Sequence, residues 1–292
     1  MYLIIHNPLS FNRKSKWTTA KIVKFFQKKG IPFILRSTFK IDDLLGFLKA
    51  NPAVTDIVYC GGDGTINYMI NHVDVGAVKA NIHFAQSGSG NDTLRTLKPM
   101  KRADVRLGRA VTEAGTVDFI NGCGIGVDAA VCHYVNADKH KNKLSYFINA
   151  FKGFSGFKPM KTVVEVDGVK HEFDKTFFVA VQNGRYFGGG MKAAPDADPE
   201  AETFQILIAH SISRALISFL FMTIYSGLHL KFKKYVTLLV GKTIRIATDS
   251  PQYFQNDGEV LEHVSNVEIA KSKTRTFIAF DKAAIAAANL AK

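Results

Sequence analysis

Cysteine is scarce in this chain of 292 residues: Cys60, Cys123 and Cys132 are the only three, each in an apolar or glycine-rich stretch. None stands at metal-ligand spacing, which argues against a disulfide framework or a zinc site and sets the expectation of a reducing, cytosolic compartment. Long apolar runs are missing too. The longest, Ala215 to Tyr225, falls well short of the roughly 20 residues that a spanning helix needs. The start, MYLIIHNPLSFNRK, lacks the apolar core and cleavage site of a signal peptide. No internal repeat, low-complexity linker or recognised nucleic-acid motif stands out. These absences lead to the expectation of a cytoplasmic protein, soluble or at most peripheral to a membrane.

Acidic residues are also in short supply, 25 against 38 Lys and Arg, for a formal net charge of +13. A basic surface gathers anionic partners, which include nucleic acid, phosphates and an acidic bilayer. The sign alone does not choose among them. With 47% hydrophobic and 22% charged residues, the chain has the composition of one large or two ordinary globular domains.

The first third alternates. Leu3 to Ile5 reads as a strand, Trp17 to Lys29 as a helix, Phe33 to Leu35 as a strand and Ile41 to Lys49 as a helix. Ile57 to Cys60 and Ile82 to Ala85 are again strand-like, with Thr65 to Ile70 helical between them. That rhythm predicts a parallel sheet covered by helices. After about Thr116 it gives way to short β-rich runs such as TVVEVDGV, TFFVAVQN, TFQILIAH, KTIRIATD and NVEIA, interrupted by helical segments at Lys143 to Lys152 and Ser213 to Ser226. The expected architecture is α/β plus β: residues 1–117 form an α/β domain, and residues 118–273 form a β-rich, sandwich-like one.

Three stretches carry candidate chemistry. DIVYCGGDGTIN ends a strand on Gly61, Gly62 and Gly64 around a lone carboxylate, Asp63, followed by Thr65. Ligands of open α/β sheets bind beyond the carboxyl ends of the strands, so backbone N–H groups and the Thr65 hydroxyl are placed to hold phosphate oxygens. A tight strand-to-helix turn is the alternative, and the stretch is no P-loop because no Gly-Lys-Ser/Thr follows. A second loop, AQSGSGNDTLRTL, offers Ser87, Gly88, Ser89, Gly90, Asn91 and Asp92; Asn and Asp there also suit an ordinary N-cap. Two such loops, with Asn7 at the same sheet edge, suggest a shared polyphosphate and Mg²⁺ site. Third, YFQNDGEVLE puts Asp257 and Glu259 around Gly258, which is hairpin chemistry or a general base. Asp128 in NGCGIGVDAAV could support that base.

These residues resemble a family over nearly the whole chain. GGDGT (61–65), SGSGND (87–92), GIGVDA (124–129), NGRYFGGGMKAAPDA (183–197), SGLHL (226–230) and NDGE (256–259) occur in the order found in the diacylglycerol/sphingosine lipid kinases, with the soluble bacterial diacylglycerol kinases the nearest in look. The resemblance implies ATP in the first domain. Asn7, Gly61, Gly62, Gly64, Thr65 and the Ser87, Gly88, Ser89, Gly90, Asn91 loop would surround its phosphates, with Asp63 and Asp92 near Mg²⁺. It implies Asp257 as general base supported by Glu259 and Asp128, an active site in the interdomain cleft, and a last segment, 274–292, that returns to the first domain. Two stretches depart from the family pattern. Phe11 follows Ser10 where glycine is usual, and Asp198, Pro199, Glu200, Ala201 and Glu202 stand where such kinases often carry a metal-holding Asp-Asp-Gly.

The lysines and aromatics of KHKNKLSYFINAFKGFSGFKPMK, with Phe154 and Phe157, are candidates for contact with an anionic membrane surface at the inner face. Leu144, Phe147, Ile148 and Phe151 keep core spacing, and Ala215 to Tyr225 reads as core. The function expected is phosphorylation of diacylglycerol or a related lipid. NAD kinase-like activity and a regulatory nucleotide-binding role are the alternatives. No nucleic acid partner is expected, and the oligomeric state, a homodimer included, is open.

Overall fold

The structure, a computed structural model, describes residues 1–8, 10, 15–88, 90–137 and 156–290. Ser89, Phe11, Phe154 and the helix expected at Lys143 to Lys152 lie outside the described residues. The chain divides into two units, residues 1–105 with 274–292, and residues 106–273.

The first unit is built on parallel strands. β1 (Tyr2–His6) lies between β2 (Phe33–Ser37) and β3 (Asp56–Gly61), and β3 pairs in parallel with β4 (Asn81–Gln86). The helices α1 (Ser15–Lys28), α2 (Leu44–Ala50), α3 (Asp63–His72) and α4 (Asp92–Met100) follow strands in turn. Strands buried on both faces read as continuous apolar runs, and LII of β1 and IVYC of β3 do so. One face packs Ile4, Val58, Cys60 and Ala85 against Ile22 and Phe26 of α1. Ile285, from the C-terminal helix α7 (Lys282–Leu290), joins the same cluster. Just before α7, Phe277, Ile278 and Ala279 pair in parallel with Ile82, His83 and Phe84 of β4.

The second unit closes a ring of strands. β9 (Val169–Gln182) pairs with β8 (Met160–Val166) along its first half and with β7 (Gly122–Gly126) along its second. β12 (Ile244–Asn256) does the same, meeting β8 and then β7, so the cycle β8-β9-β7-β12 returns to its start. β10 (Phe204–His210) and β11 (Val236–Gly241) extend the sheet from β9. Alternation along β10 sorts two cores: Phe204, Ile206 and Ile208 join one cluster with Cys123, Ile125 and Phe254, while Leu207 and Ala209 face another. The second cluster is closed by Val127 and Val131 of α5 (Val127–Ala137) and by Ile217, Leu220 and Ile224 of α6 (Arg214–Ile224). Phe157, a candidate for membrane contact, is partly buried and packs against both clusters.

Candidate active site

In the first unit the two glycine loops touch each other. A Cβ on Gly62 would stand 2.9 Å from the Gly88 Cα, and one on Gly88 would stand 2.4 Å from the Gly62 Cα. These glycines therefore bring two backbones together, which no larger residue permits. Gly61 serves the turn itself, since its Cβ would fall 2.5 Å from the Thr65 side chain. Asn7 Nδ2 donates to Thr65 Oγ1 at 3.1 Å, and Ser10 Oγ donates to Ser87 O at 3.1 Å. Asn91, at φ 57°, clamps the Gly88 peptide from both sides: its Oδ1 accepts from Gly88 N–H at 3.0 Å and its Nδ2 donates to Gly88 O at 2.6 Å.

Asp63 has a definite duty in this arrangement. Its two carboxylate oxygens accept the N–H groups of Asp92 and Thr93, each at 3.1 Å, so it caps α4 from another helix. A carboxylate at a helix N-terminus satisfies otherwise orphaned donors and meets the positive end of the dipole. Asp92 in turn pairs with Arg95 at 2.9 Å. The N-cap of α3 is Gly62, with no side-chain hydrogen bond, and the buried Ser87 Oγ has no protein partner among the described residues.

In the second unit Asp257 is the hub. The sequence Asn256-Asp257-Gly258-Glu259 makes a two-residue hairpin between β12 and β13 (Glu259–Ala279), with φ 48° at Asp257 and 95° at Gly258. Both central residues of a type I′ turn need positive φ, which Asp and Gly tolerate. The Asp257 carboxylate accepts from Ile120 N–H at 2.8 Å, Asn121 N–H at 2.9 Å and Gly122 N–H at 3.0 Å, while its own N–H donates to Gly122 O at 2.9 Å. Asn183 Nδ2 holds the carbonyls of Arg106 and Ile120, and Asn256 Nδ2 reaches Asp118 O. Lys271 Nζ donates to Asn183 Oδ1 over the Phe204 ring; burial, then the nearby Arg106, push its ammonium down to about 8.

Asp128 opens α5 and lies over Gly124, where a Cβ would fall 2.2 Å from its Oδ2. Gln255 Nε2 donates to that Oδ2 at 3.4 Å, and Gln255 Oε1 accepts from Gly258 N–H at 3.1 Å, which ties Asp128 to the hairpin turn. Asp128 Oδ1 is buried with no protein partner among the described residues, and burial pushes the carboxyl up to about 6. Cys123 feels both Asp257 and Asp128, and Cys132 feels both Asp128 and Glu259; burial first, then these charges, push both thiols up. The three carboxylates expected from the sequence thus gather around β7 and the start of α5, with Glu259 exposed.

Gln182, Asn183, Gln255 and Asn256 were not picked out by sequence reasoning. The signal was there: an apolar run ends on Gln-Asn at 182–183 and again at 255–256, polar pairs that are costly to bury. Asn183, Gln255 and Asn256 use their amides, while the buried Gln182 amide has no partner among the described residues.

The chain thus combines a glycine-looped α/β unit with a closed β unit carrying clustered carboxylates. A diacylglycerol kinase structure from Bacillus anthracis is similar over 96% of both chains, with TM-score 0.67 and 19% identity. A yeast NADH kinase complexed with NADH is similar over 97% of this chain and 84% of its own, with TM-score 0.51 and 11% identity. Residues 1–119 match the diacylglycerol kinase catalytic domain, and residues 122–272 match the YegS C-terminal NAD kinase beta sandwich-like domain. YtlR of Bacillus subtilis, provisionally named a lipid kinase, is 28% identical over 236 residues, 70% of this chain and 74% of its own. A Staphylococcus aureus diacylglycerol kinase is 26% identical over 273 residues, 88% of this chain and 85% of its own. The chain belongs to the diacylglycerol kinase family of lipid kinases.

Proposed function

We propose that this protein transfers the γ-phosphoryl group of ATP to the hydroxyl of diacylglycerol or a close relative, giving phosphatidic acid or its analogue. The observation that carries the reading is the back-to-back packing of the two glycine loops, in a chain whose two halves match kinase domains in order. The packing sets the open N-terminus of α3, the Thr65 hydroxyl and the Ser87 hydroxyl, which has no partner among the described residues, at the carboxyl ends of β3 and β4. Helix N-termini and backbone donors are the groups that take phosphate oxygens, so Asn7, Gly61, Gly62, Gly64, Thr65 and the Ser87–Asn91 loop are assigned to the nucleotide.

Mg²⁺ with a nucleotide is held by one or two carboxylates plus phosphates and water, not by an all-protein cage. Asp63 and Asp92 suit that mode, since each carboxylate oxygen can accept more than one partner. No group of three metal-ligating side chains occurs among the described residues. When bound, the ion neutralises phosphate charge. The protein's own groups orient the nucleotide and receive the acceptor's proton. That proton is assigned to the Asp257, Glu259 and Asp128 set, with Asp257 as base. The three N–H groups already on Asp257 give it a second duty, as the clamp of residues 120–122.

The test is ATP consumption with Mg²⁺ in mixed micelles containing diacylglycerol, with sphingosine and NAD as rival acceptors. Lipid-dependent turnover supports the reading. Turnover with NAD alone replaces it by the second reading, an NAD kinase-like activity, which the fold shared with the NADH kinase favours.

A further inference from the structure

α6 is apolar on its inner face and carries large apolar side chains on its open side as well. Its inner positions Ile217, Leu220 and Ile224 are each 2% exposed, as a core-facing helix requires. On its open side Phe219 is 56% exposed and Met222 52%, and the stripe continues at the C-cap Tyr225, 43% exposed, and at Leu228, 45% exposed, in the 3-10 turn that follows. A surface helix ordinarily turns a polar face to water, and a contiguous apolar ridge left open marks an interaction surface. The sequence predicts core for Ala215 to Tyr225. Only the inner face fulfils that.

The rim of the ridge names its partner. Lys231, Lys233 and Lys234 are exposed just beyond Leu228. No Asp or Glu occurs between Glu202 and Asp249. The segment packed beside Gly227 adds Lys192, whose N–H donates to Ile224 O, and carries Asp196. A second copy of the chain would set these lysines against their own kind in a self-complementary contact, and a nucleic acid has no use for exposed Met222 and Leu228. An apolar stripe bordered by lysines fits the headgroup boundary of an anionic bilayer, which takes side chains such as Phe, Met and Leu into its acyl edge and attracts the ammonium groups.

We propose that the outer face of α6, with Lys231, Lys233 and Lys234, is the surface by which this protein docks on anionic membranes. The inference extends the lipid kinase reading but is tested without turnover. Wild type and variants are sedimented with vesicles of phosphatidylcholine alone or mixed with phosphatidylglycerol, and melting temperatures are recorded alongside.

The expected result is binding to the anionic vesicles only, weakened tenfold or more by Phe219→Asp with Met222→Asp. Lys231→Ser, Lys233→Ser and Lys234→Ser should each weaken it by roughly fivefold, with melting temperatures unchanged. Equal binding by wild type and variants, or none by wild type, overturns the proposal. So does dimerisation in the absence of lipid that Phe219→Asp abolishes, which would make the ridge an interface between copies. A short-chain, water-soluble diacylglycerol separates the two claims. No turnover of it by the wild type or any variant, with the wild type binding vesicles and the variants not, removes the kinase reading and leaves the docking surface standing.

Discussion

At the scale of single residues, the first loop's aspartate is tied to a helix that starts 29 residues later, because its Oδ2 accepts the N–H of Asp92. Asp63→Asn keeps the volume but points an amide at N–H donors, so about 1–3 kcal/mol of stability should be lost, read as a lower urea midpoint. Gly88→Ala should be worse. Its methyl would meet backbone, the Gly62 Cα, at 2.4 Å, and backbone cannot swing away as a side chain can. A fully folded Gly88→Ala protein would sink the account of why both loops carry glycine. Asp128 gives a test in pH. Burial raises its carboxyl to about 6 against the hydrogen bonds from Ala129 N–H and Gln255, whereas the unfolded chain titrates near 3.9. Between those values the native state holds more protons than the unfolded chain, so stability falls as the pH rises from about 4 to about 6. Asp128→Asn should flatten that slope, as urea titrations at pH 4.5 and 6.5 would reveal. If the ionised carboxylate serves the reaction, kcat/KM for lipid should rise through the same interval.

At the scale of elements, the hairpin of β12 and β13 makes Asp257 both a turn residue and a clamp. Asp257→Asn offers one carbonyl oxygen to three N–H donors, so a loss of turnover by itself does not identify a base. Lost turnover with an unchanged melting temperature assigns proton transfer to Asp257; turnover and melting temperature falling together assigns it the clamp. The hairpin was legible because Asn-Asp-Gly carries its own φ requirements, and β1, β3 and β4 because doubly buried strands are apolar throughout. β5 (Arg102–Thr112) and β6 (Gly115–Phe119) were not. Ala103, Val105 and Leu107 alternate inward, but Arg, Asp and Gly fill the remaining places, and Gly108 is there for the Phe119 ring, 2.2 Å from where its Cβ would lie. Helix α7 was overlooked because KAAIAAANL, for all its helix propensity, has few large apolar residues to mark a buried face; Ile285 is buried. The clamp residues escaped notice for a different reason: Asn183 and Asn256 act on backbone groups far along the chain, which no local pattern records. Ending the chain at Lys273 would remove Phe277–Ala279 from beside β4 and Ile285 from the core. The shortened protein should be insoluble or aggregate; a monomeric, cooperatively melting product would contradict the place given to the returning segment.

At the scale of the whole molecule, the governing quantity is the net charge of +13. A protein so basic is drawn to negative surfaces over about 8–10 Å at ordinary ionic strength and released as salt shortens that range. Diacylglycerol is neutral, but the product of the proposed reaction is an anion that stays in the surface. Each turnover therefore makes the surface more attractive to the enzyme that produced it. On neutral micelles containing diacylglycerol, progress curves should begin with a lag and accelerate as product accumulates. A few mole per cent of phosphatidic acid added at the start should remove the lag, and 0.5 M salt should slow the accelerated phase. A soluble short-chain acceptor should show neither effect, because its phosphorylation charges no surface. Acceleration that persists in high salt would place the effect in product binding at the active site instead, and linear progress on neutral micelles from the first turnover would mean that the charge of this chain plays no part in finding its substrate.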